Sequence, residues 1–423
     1  MPERGGLSRR GLFGAAGAGA AAAAGMAGAM HAQREPGTAA GPAETTPQRH
    51  DFHGVHQSGI VTPAQDRLHF AAFDLTTSSR ATLIALLQDW TDAAARMMAG
   101  HGAGEIGPTS GSYDAPPDDT GEAIGLPPSS LTITFGFGPT LFVDADGNDR
   151  FGLAGRRPAA LERLPHFPAD VLEESRSDGD LCIQACADDP QVAVHAIRNL
   201  ARIAFGRAAI RWSQLGFGRT SSTSTSQVTP RNLFGFKDGT ANLKLEDPAA
   251  LDEHVWIGAD TDQPWTVGGS YLVARRISMT IETWDRQSLR EQERVIGRTK
   301  AEGAPLSGGG EFTAPDFDLP GRDGPLIDVA AHVRLAHPDA NGGAQLLRRG
   351  YNFVDGTDAL GRLDAGLFFL AFMIDPRTHY IDMQRRLAQL DGLSEYLKHT
   401  GSALFLVPRG VAEGEFVGQQ LFD

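Results

Sequence analysis

One order of elements occurs twice along this chain, and that repetition limits the fold more than any single motif. Leu68 to Leu75 alternates as a strand does, and Ser78-Ser79 can cap the helical run Ala81–Ala99. Leu131–Phe135 is rich in β-formers and Leu181–Ala187 is a short apolar run. Asp188 or Asp189 can cap a helix that runs to Phe205, and Ala208–Leu215 reads as a closing strand. The order β-α-β-β-α-β is that of a ferredoxin-like unit. The Ser/Thr-rich stretch 219–229 reads as a linker, and beyond it the order recurs. Ser270–Trp284 has a strand pattern, Arg286–Lys300 is charged and helical, Asp364–Ile374 is strongly apolar, Tyr380–Leu397 has helical spacing, and Ser402–Val407 closes. The expectation is an α+β protein of two ferredoxin-like halves with antiparallel sheets, 56–218 and 230–423.

Residues 1–32 read as an address. Ser8-Arg9-Arg10-Gly11-Leu12-Phe13 followed by an Ala/Gly run has the pattern of a twin-arginine export signal, and 33–55 reads as a flexible tether. The expected location is therefore periplasmic or extracellular, at the cell envelope, with the protein exported already folded. His50, His53 and His56 in the tether read as a polar lead-in more readily than as a metal tract. The 52 acidic residues outnumber the 38 basic ones, for a net charge of −14, which argues against nucleic acid or an anionic membrane as partner. No apolar stretch in the mature region is long enough to span a bilayer. Cys182 and Cys186 are too few for a disulfide framework. On one strand they stand about 13 Å apart, so two buried thiols are expected.

Three constellations carry chemistry, all in the second half. The loop Asn232-Leu-Phe-Gly-Phe-Lys237-Asp238-Gly239-Thr240-Ala241-Asn242 brackets an acid with glycines. Asp328-Val-Ala-Ala-His332-Val-Arg334-Leu-Ala-His337-Pro338 offers imidazoles, frequent metal ligands. Leu347-Arg348-Arg349-Gly350-Tyr351 offers a pair of cations. Each is weak alone, and each residue has a plain structural reading. In combination they are specific. With Gly54-Val-His-Gln-Ser-Gly-Ile60, Gly179-Asp-Leu-Cys-Ile-Gln-Ala-Cys-Ala-Asp-Asp189 and His399-Thr-Gly-Ser-Ala-Leu-Phe405, the chain resembles the dye-decolorizing heme peroxidases. The likeness is greatest to the exported branch that includes the peroxidase/deferrochelatases of bacterial iron uptake, and it runs from about residue 54 to the end.

The resemblance implies one non-covalent heme b per chain, held in the second half. It implies His332 as the proximal iron ligand, Asp238 as the distal acid and Arg348 as the distal arginine, with Asn242 near the distal pocket. Gly239, Thr240, Ala241, His337, Pro338 and Asp339 are implied heme contacts, although Asp339 stands where the family often has an arginine. Phe368 and Phe369 are candidates to wall the pocket. A carboxylate is expected behind the proximal imidazole, with Glu395 the first choice and Asp375 the second. The absence of a Cys-x-x-Cys-His motif argues against covalent heme.

The implied activity is reduction of hydrogen peroxide through a ferryl intermediate, with dyes, phenols or other small molecules as electron donors. The alternatives are iron removal from heme with the tetrapyrrole left intact, and non-catalytic heme binding within an iron-uptake system. Intact Asp238 and Arg348 count against the last. Iron-uptake components and a second copy of the chain are compatible partners. An unperturbed aspartate titrates near 3.9, so dye oxidation is expected to be better on the acidic side of neutral. Tyr351, Trp256, Trp265 and Trp284 are candidate relays to donors too large for the pocket. The C-terminal Gly418-Gln-Gln-Leu-Phe-Asp423 shows no appended docking tail, so cargo of a nanocompartment is not expected.

Overall fold

The computed structural model describes residues 48–322 and 324–423. The twin-arginine segment 1–32, and 33–47 of the tether, lie outside the described residues. The first half runs β1 (Arg67–Leu75), α1 (Arg80–Met98), β2 (Thr132–Phe137), β3 (Leu181–Ala187), α2 (Pro190–Ile203) and β4 (Ala208–Arg219). The second half opens with α3 (Pro248–His254), β5 (Ser270–Met279), α4 (Ile281–Trp284), α5 (Leu289–Ile296) and α6 (His332–Leu335). It ends with β6 (Leu347–Arg348), β7 (Tyr351–Thr357), β8 (Leu363–Met373), α7 (Asp382–Leu390) and β9 (Leu397–Val407).

Within each half the strands pair in ferredoxin-like order, β4-β1-β3-β2 and β7-β8-β5-β9, and every pairing is antiparallel. The sheets then share their edges. β2 meets β9 at Phe137 and Leu406, and β4 meets β7 at Phe217 and Asn352. Among the described residues no long strand edge is left unpaired, and the nine-stranded sheet closes into a barrel. Leu68, Phe70, Trp212, Leu272, Tyr351 and Phe405 fill its interior, where Cys182 and Cys186 are also buried as free thiols.

On the outer face of the first half, helices complete the core. α1 places Leu83, Leu86, Leu87, Trp90, Ala94 and Met97 on one buried stripe, and the Ser79 side chain caps it by accepting from the Thr82 N–H. Asp189 caps α2 by accepting from the Gln191 and Val192 N–H groups, and Pro190 occupies the first turn. The Trp90 indole donates to the Leu200 carbonyl at 2.8 Å, and its ring lies 5.2 Å from Phe73 and 5.8 Å from Phe135. Each such large apolar side chain contributes about 1.5–3 kcal/mol on burial.

Several expectations need correction. β7 carries no clean alternation, since Tyr351, Asn352 and Phe353 are buried and the four residues after them exposed, so the sequence pattern hid it. The long strand pattern of Ser270–Trp284 ends at Met279 and turns into α4. The stretch 219–229 is no loose linker, because Thr220 to Ser224 are buried and Thr223 donates to the Thr62 carbonyl. The end of the tether is fastened to the body as well. The Gly54 N–H donates to the Val411 carbonyl, Phe52 is buried, and the His56 ring stacks on Trp256 at 3.6 Å. Among the described residues no helix is long and apolar enough to cross a membrane, and no group of three or more His, Cys, Asp or Glu is arranged to hold a metal ion.

Candidate active site

The outer face of the second half is not filled. Between its sheet, α6, α7 and the loops after Asn232 and Gly297 lies a cavity of about 580 Å³. Ile277, Met279, Leu367 and Phe369 line it from the sheet, with Met383 and Leu387 of α7 opposite them. Phe368 is not part of this wall. The two-residue period of β8 sends it into the barrel, 5.4 Å from Phe70 and 6.1 Å from Trp212, while Phe369 faces the cavity.

His332 opens α6, and its partly exposed ring lines the cavity. Its Nδ1 lies 2.6 Å from Oδ2 of Asp391, a buried carboxylate whose Oδ1 accepts from the Leu393 N–H at 2.8 Å. Burial acts to lower the His332 pKa, but the Asp391 charge and hydrogen bond outweigh it and hold the pKa above its ordinary value. The carboxylate behind the imidazole is therefore Asp391, not Glu395 or Asp375. Glu395 points to solvent, and Asp375 is engaged by Arg377 at 2.6 Å. In sequence Asp391 falls inside the stretch Tyr380–Leu397 with helical spacing, whereas the helix ends at Leu390, which is why it escaped notice. Its cap on the following 3₁₀ turn aims the second oxygen at His332.

Asp238 and Arg348 face the same space, and the charges of both are felt at His332. Arg348 Nη1 donates to Asp238 Oδ1 at 2.7 Å, and Asn232 Nδ2 donates to Oδ2 at 3.2 Å. The Asp238 loop turns through Gly239 at φ +82°, where a Cβ would sit 2.8 Å from the Ser221 backbone, so the loop lies flat on the buried Thr220–Ser224 segment. Asn242 lies outside the cavity lining. Its Oδ1 accepts from the Arg348 N–H at 2.7 Å, and its Nδ2 donates to the Arg348 carbonyl at 2.9 Å and to the Ser222 carbonyl at 3.0 Å. The side-chain amide thus grips the peptide that carries the arginine, which makes Asn242 a positioning residue instead of a group in the pocket.

Gly239, Thr240, Ala241, His337 and Pro338 line the cavity, whereas the Asp339 side chain is 84% exposed and turned away. Lys237, Arg298, Glu311 and His399 also line it; Lys237 and His399 lie in motifs named in the sequence, whereas Arg298 and Glu311 lie in none. Burial pushes the His399 pKa down to about 3, with Arg275 acting in the same direction. The four aromatic relay candidates are all buried: Tyr351 and Trp284 are 0% exposed, Trp265 5% and Trp256 7%.

The donor set indicates what the cavity holds. His332 has Nδ1 committed to Asp391, which leaves Nε2 as the nitrogen available to a metal. A single imidazole in an apolar slot suits a metal that arrives with its own planar ligands, and the volume is that of a cofactor site. A carboxylate paired with a fixed guanidinium faces the same space. Fold and site together define a heme-binding oxidoreductase of the peroxidase kind.

The comparisons with known proteins agree. The family model "Dyp-type peroxidase, N-terminal" matches residues 57–218, and "Dyp-type peroxidase, C-terminal" matches residues 229–412. The chain belongs to the Dyp-type peroxidase family and is a heme-dependent peroxidase. It is similar to the deferrochelatase of Escherichia coli K12, with 35% identity over 98% of this chain and 96% of that protein. Among solved structures it is similar to DtpA from Streptomyces lividans in its oxyferrous/water mixed complex, with a TM-score of 0.80 and 42% identity over 89% of this chain and 98% of that one. The DyP-type peroxidase of Cellulomonas bogoriensis gives a TM-score of 0.79 and 37% identity over 89% of this chain and 99% of that one.

Proposed function

We propose that the chain reduces hydrogen peroxide in the second-half cavity, with His332 as the iron ligand and Asp238 and Arg348 as the peroxide-handling pair, and draws electrons from phenols, dyes or similar small donors. The observation that carries this is the Asp238–Arg348 pair facing the same cavity as an Asp391-backed imidazole. Heme held by His332 would supply the redox equivalents for peroxide reduction. Asp238 takes the proton from the near oxygen of peroxide and returns it to the far oxygen, so that water leaves. Arg348 is a fixed cation; it orients the carboxylate and stabilises charge on the departing oxygen. Two electrons and two further protons complete the conversion of one peroxide to two waters. Asn242 keeps Arg348 in place, and Asp391 orients His332 and makes it more basic.

The test is the absorption spectrum of heme-loaded protein before and after one equivalent of hydrogen peroxide, for wild type, His332→Ala and Asp238→Ala. The expected result is loss of the ligated-heme band without His332 and a slowed or abolished peroxide response without Asp238. Heme that is bound but inert to peroxide at every pH overturns the reading.

Similarity to the Escherichia coli deferrochelatase favours a second reading, removal of iron with the tetrapyrrole intact, in the service of iron uptake. Appearance of metal-free porphyrin together with released iron separates it from peroxidase turnover. We also propose export by the twin-arginine route to the cell envelope, supported by Ser8-Arg9-Arg10-Gly11-Leu12-Phe13. Replacing both arginines by lysine is expected to leave the protein inside the cell.

A further inference from the structure

We propose that Glu311 is a positioning residue for the distal acid: by holding Lys237, it keeps that cation from competing with Arg348 for Asp238. The inference rests on the role proposed above for Asp238. Glu311 belongs to the long excursion between α5 and α6, yet its carboxylate reaches both sides of the Asp238 turn. Oε2 accepts from Lys237 Nζ, on the residue before Asp238, and Oε1 accepts from Thr240 Oγ1 at 3.3 Å, two residues after it. Arg298 Nη1 fixes the Glu311 backbone by donating to its carbonyl at 2.8 Å. The Glu311 side chain is only 12% exposed, and Lys237, Asp238 and Glu311 all line the cavity.

The charges around Asp238 show why such a brace matters. Arg348 pairs with it from β6, and Lys244 stands behind, donating to the Ser222 carbonyl and hydroxyl. His332, backed by Asp391, lies across the cavity, and Asn232 contacts Asp238 from its own loop. Lys237 is the cation beside the distal acid in the chain, and Glu311 neutralises it. Burial opposes the Glu311 charge, but Lys237, Thr229 and Thr240 hold its pKa below the ordinary glutamate value. Without that carboxylate, the Lys237 ammonium is free to turn to Asp238, its chain neighbour. An added positive charge favours the ionised acid and moves its protonation to lower pH, and an added negative charge does the reverse.

The experiment is the pH profile of the second-order rate of heme-loaded enzyme with hydrogen peroxide, for Glu311→Gln, Lys237→Met and the double variant. Glu311→Gln is expected to shift the acid limb down by about one pH unit and to slow the plateau, because Lys237 now draws Asp238 from Arg348. Lys237→Met leaves Glu311 uncompensated, and its limb is expected to move up. The double variant is expected to return close to the wild-type profile. A second readout is hydrogen exchange of the 307–315 backbone, expected to quicken in Glu311→Gln. Shifts of the same sign in both single variants, or no shift in either, overturn the inference, as does a double variant no better than Glu311→Gln. Failure of the underlying reading appears separately, as an Asp238→Ala enzyme with unimpaired peroxide reaction.

Discussion

In the first half of the barrel, Trp90 of α1 packs beside Phe73 and Phe135 and ties α1 to α2 through the Leu200 carbonyl. On the matching face of the second half, Ile277, Met279, Leu367 and Phe369 look into a cavity of about 580 Å³. Both halves use the same strand order, so the difference lies in the connections. In the first half α1, of 19 residues, follows β1 closely and lies on its sheet. In the second, the chain between β5 and β6 breaks into short helices, α4 and α6 of 4 residues each and α5 of 8. Helices that short gain little from their own hydrogen bonds and rest on side-chain anchors. Such anchors include Ser288 capping α5, Arg294 reaching Asp328 at 2.6 Å and Asp391 reaching His332. A repeated unit lets one copy be packed for stability while the other is left hollow for a cofactor.

The comparison breaks most sharply at Asp238. Asp238→Ala is expected to slow the peroxide reaction by about 10²–10⁴-fold, the usual range for a positioned acid–base group. The midpoint of thermal unfolding should move little, since the residue supports no core. Stopped-flow absorbance and calorimetry on the same samples check both halves of the statement. Trp90→Ala is the converse. It should cost about 3–5 kcal/mol of stability while leaving the heme spectrum and peroxide rate of the folded protein unchanged. A Trp90 variant with an altered spectrum would mean that the filled half governs the hollow one. Asp391→Asn sits between these extremes, with heme retention expected to weaken about 10–100-fold. Transfer of heme to an apoprotein acceptor measures it.

What the sequence made legible follows from the same division. Helices with a continuous apolar stripe and a capping residue, such as α1 behind Ser79 and α2 behind Asp189, can be read because period and cap are local signals. The heme-peroxidase family could be read because short motifs around Asp238, His332 and Arg348 keep their identities. The support around those residues could not. Asp391 stands 59 positions from His332, and Glu311 stands 74 from Lys237, so only the folded chain shows that they meet. Asn242 was placed near the distal pocket, but sequence does not reveal that its amide grips the backbone of Arg348. Phe368 was the avoidable error, since adjacent strand residues cannot both face one cavity.

The smallest expected effect concerns acid, where each half holds a half-buried histidine of lowered pKa. His69 on β1 lies between Ala185 and Leu215, and its Nδ1 is buried without a partner. Burial pushes its pKa down to about 4, as burial and Arg275 push His399 down to about 3. The unfolded chain takes up these protons near pH 6.5, but the folded chain does so only near 4 and 3, so stability falls as pH drops through that window. For His69 the loss reaches at most about 3 kcal/mol. His69→Leu removes one of these acid-sensitive groups along with an unsatisfied nitrogen. It is expected to be neutral or slightly stabilising at pH 7 and to lower the midpoint of acid unfolding, followed by tryptophan fluorescence. That window overlaps the acidic side of neutral, where dye oxidation is expected to be best, so the variant should also keep its activity longer at low pH. If the acid midpoint of His69→Leu stays where it was, the weak point in acid lies in the second half, where His399 lines the cavity.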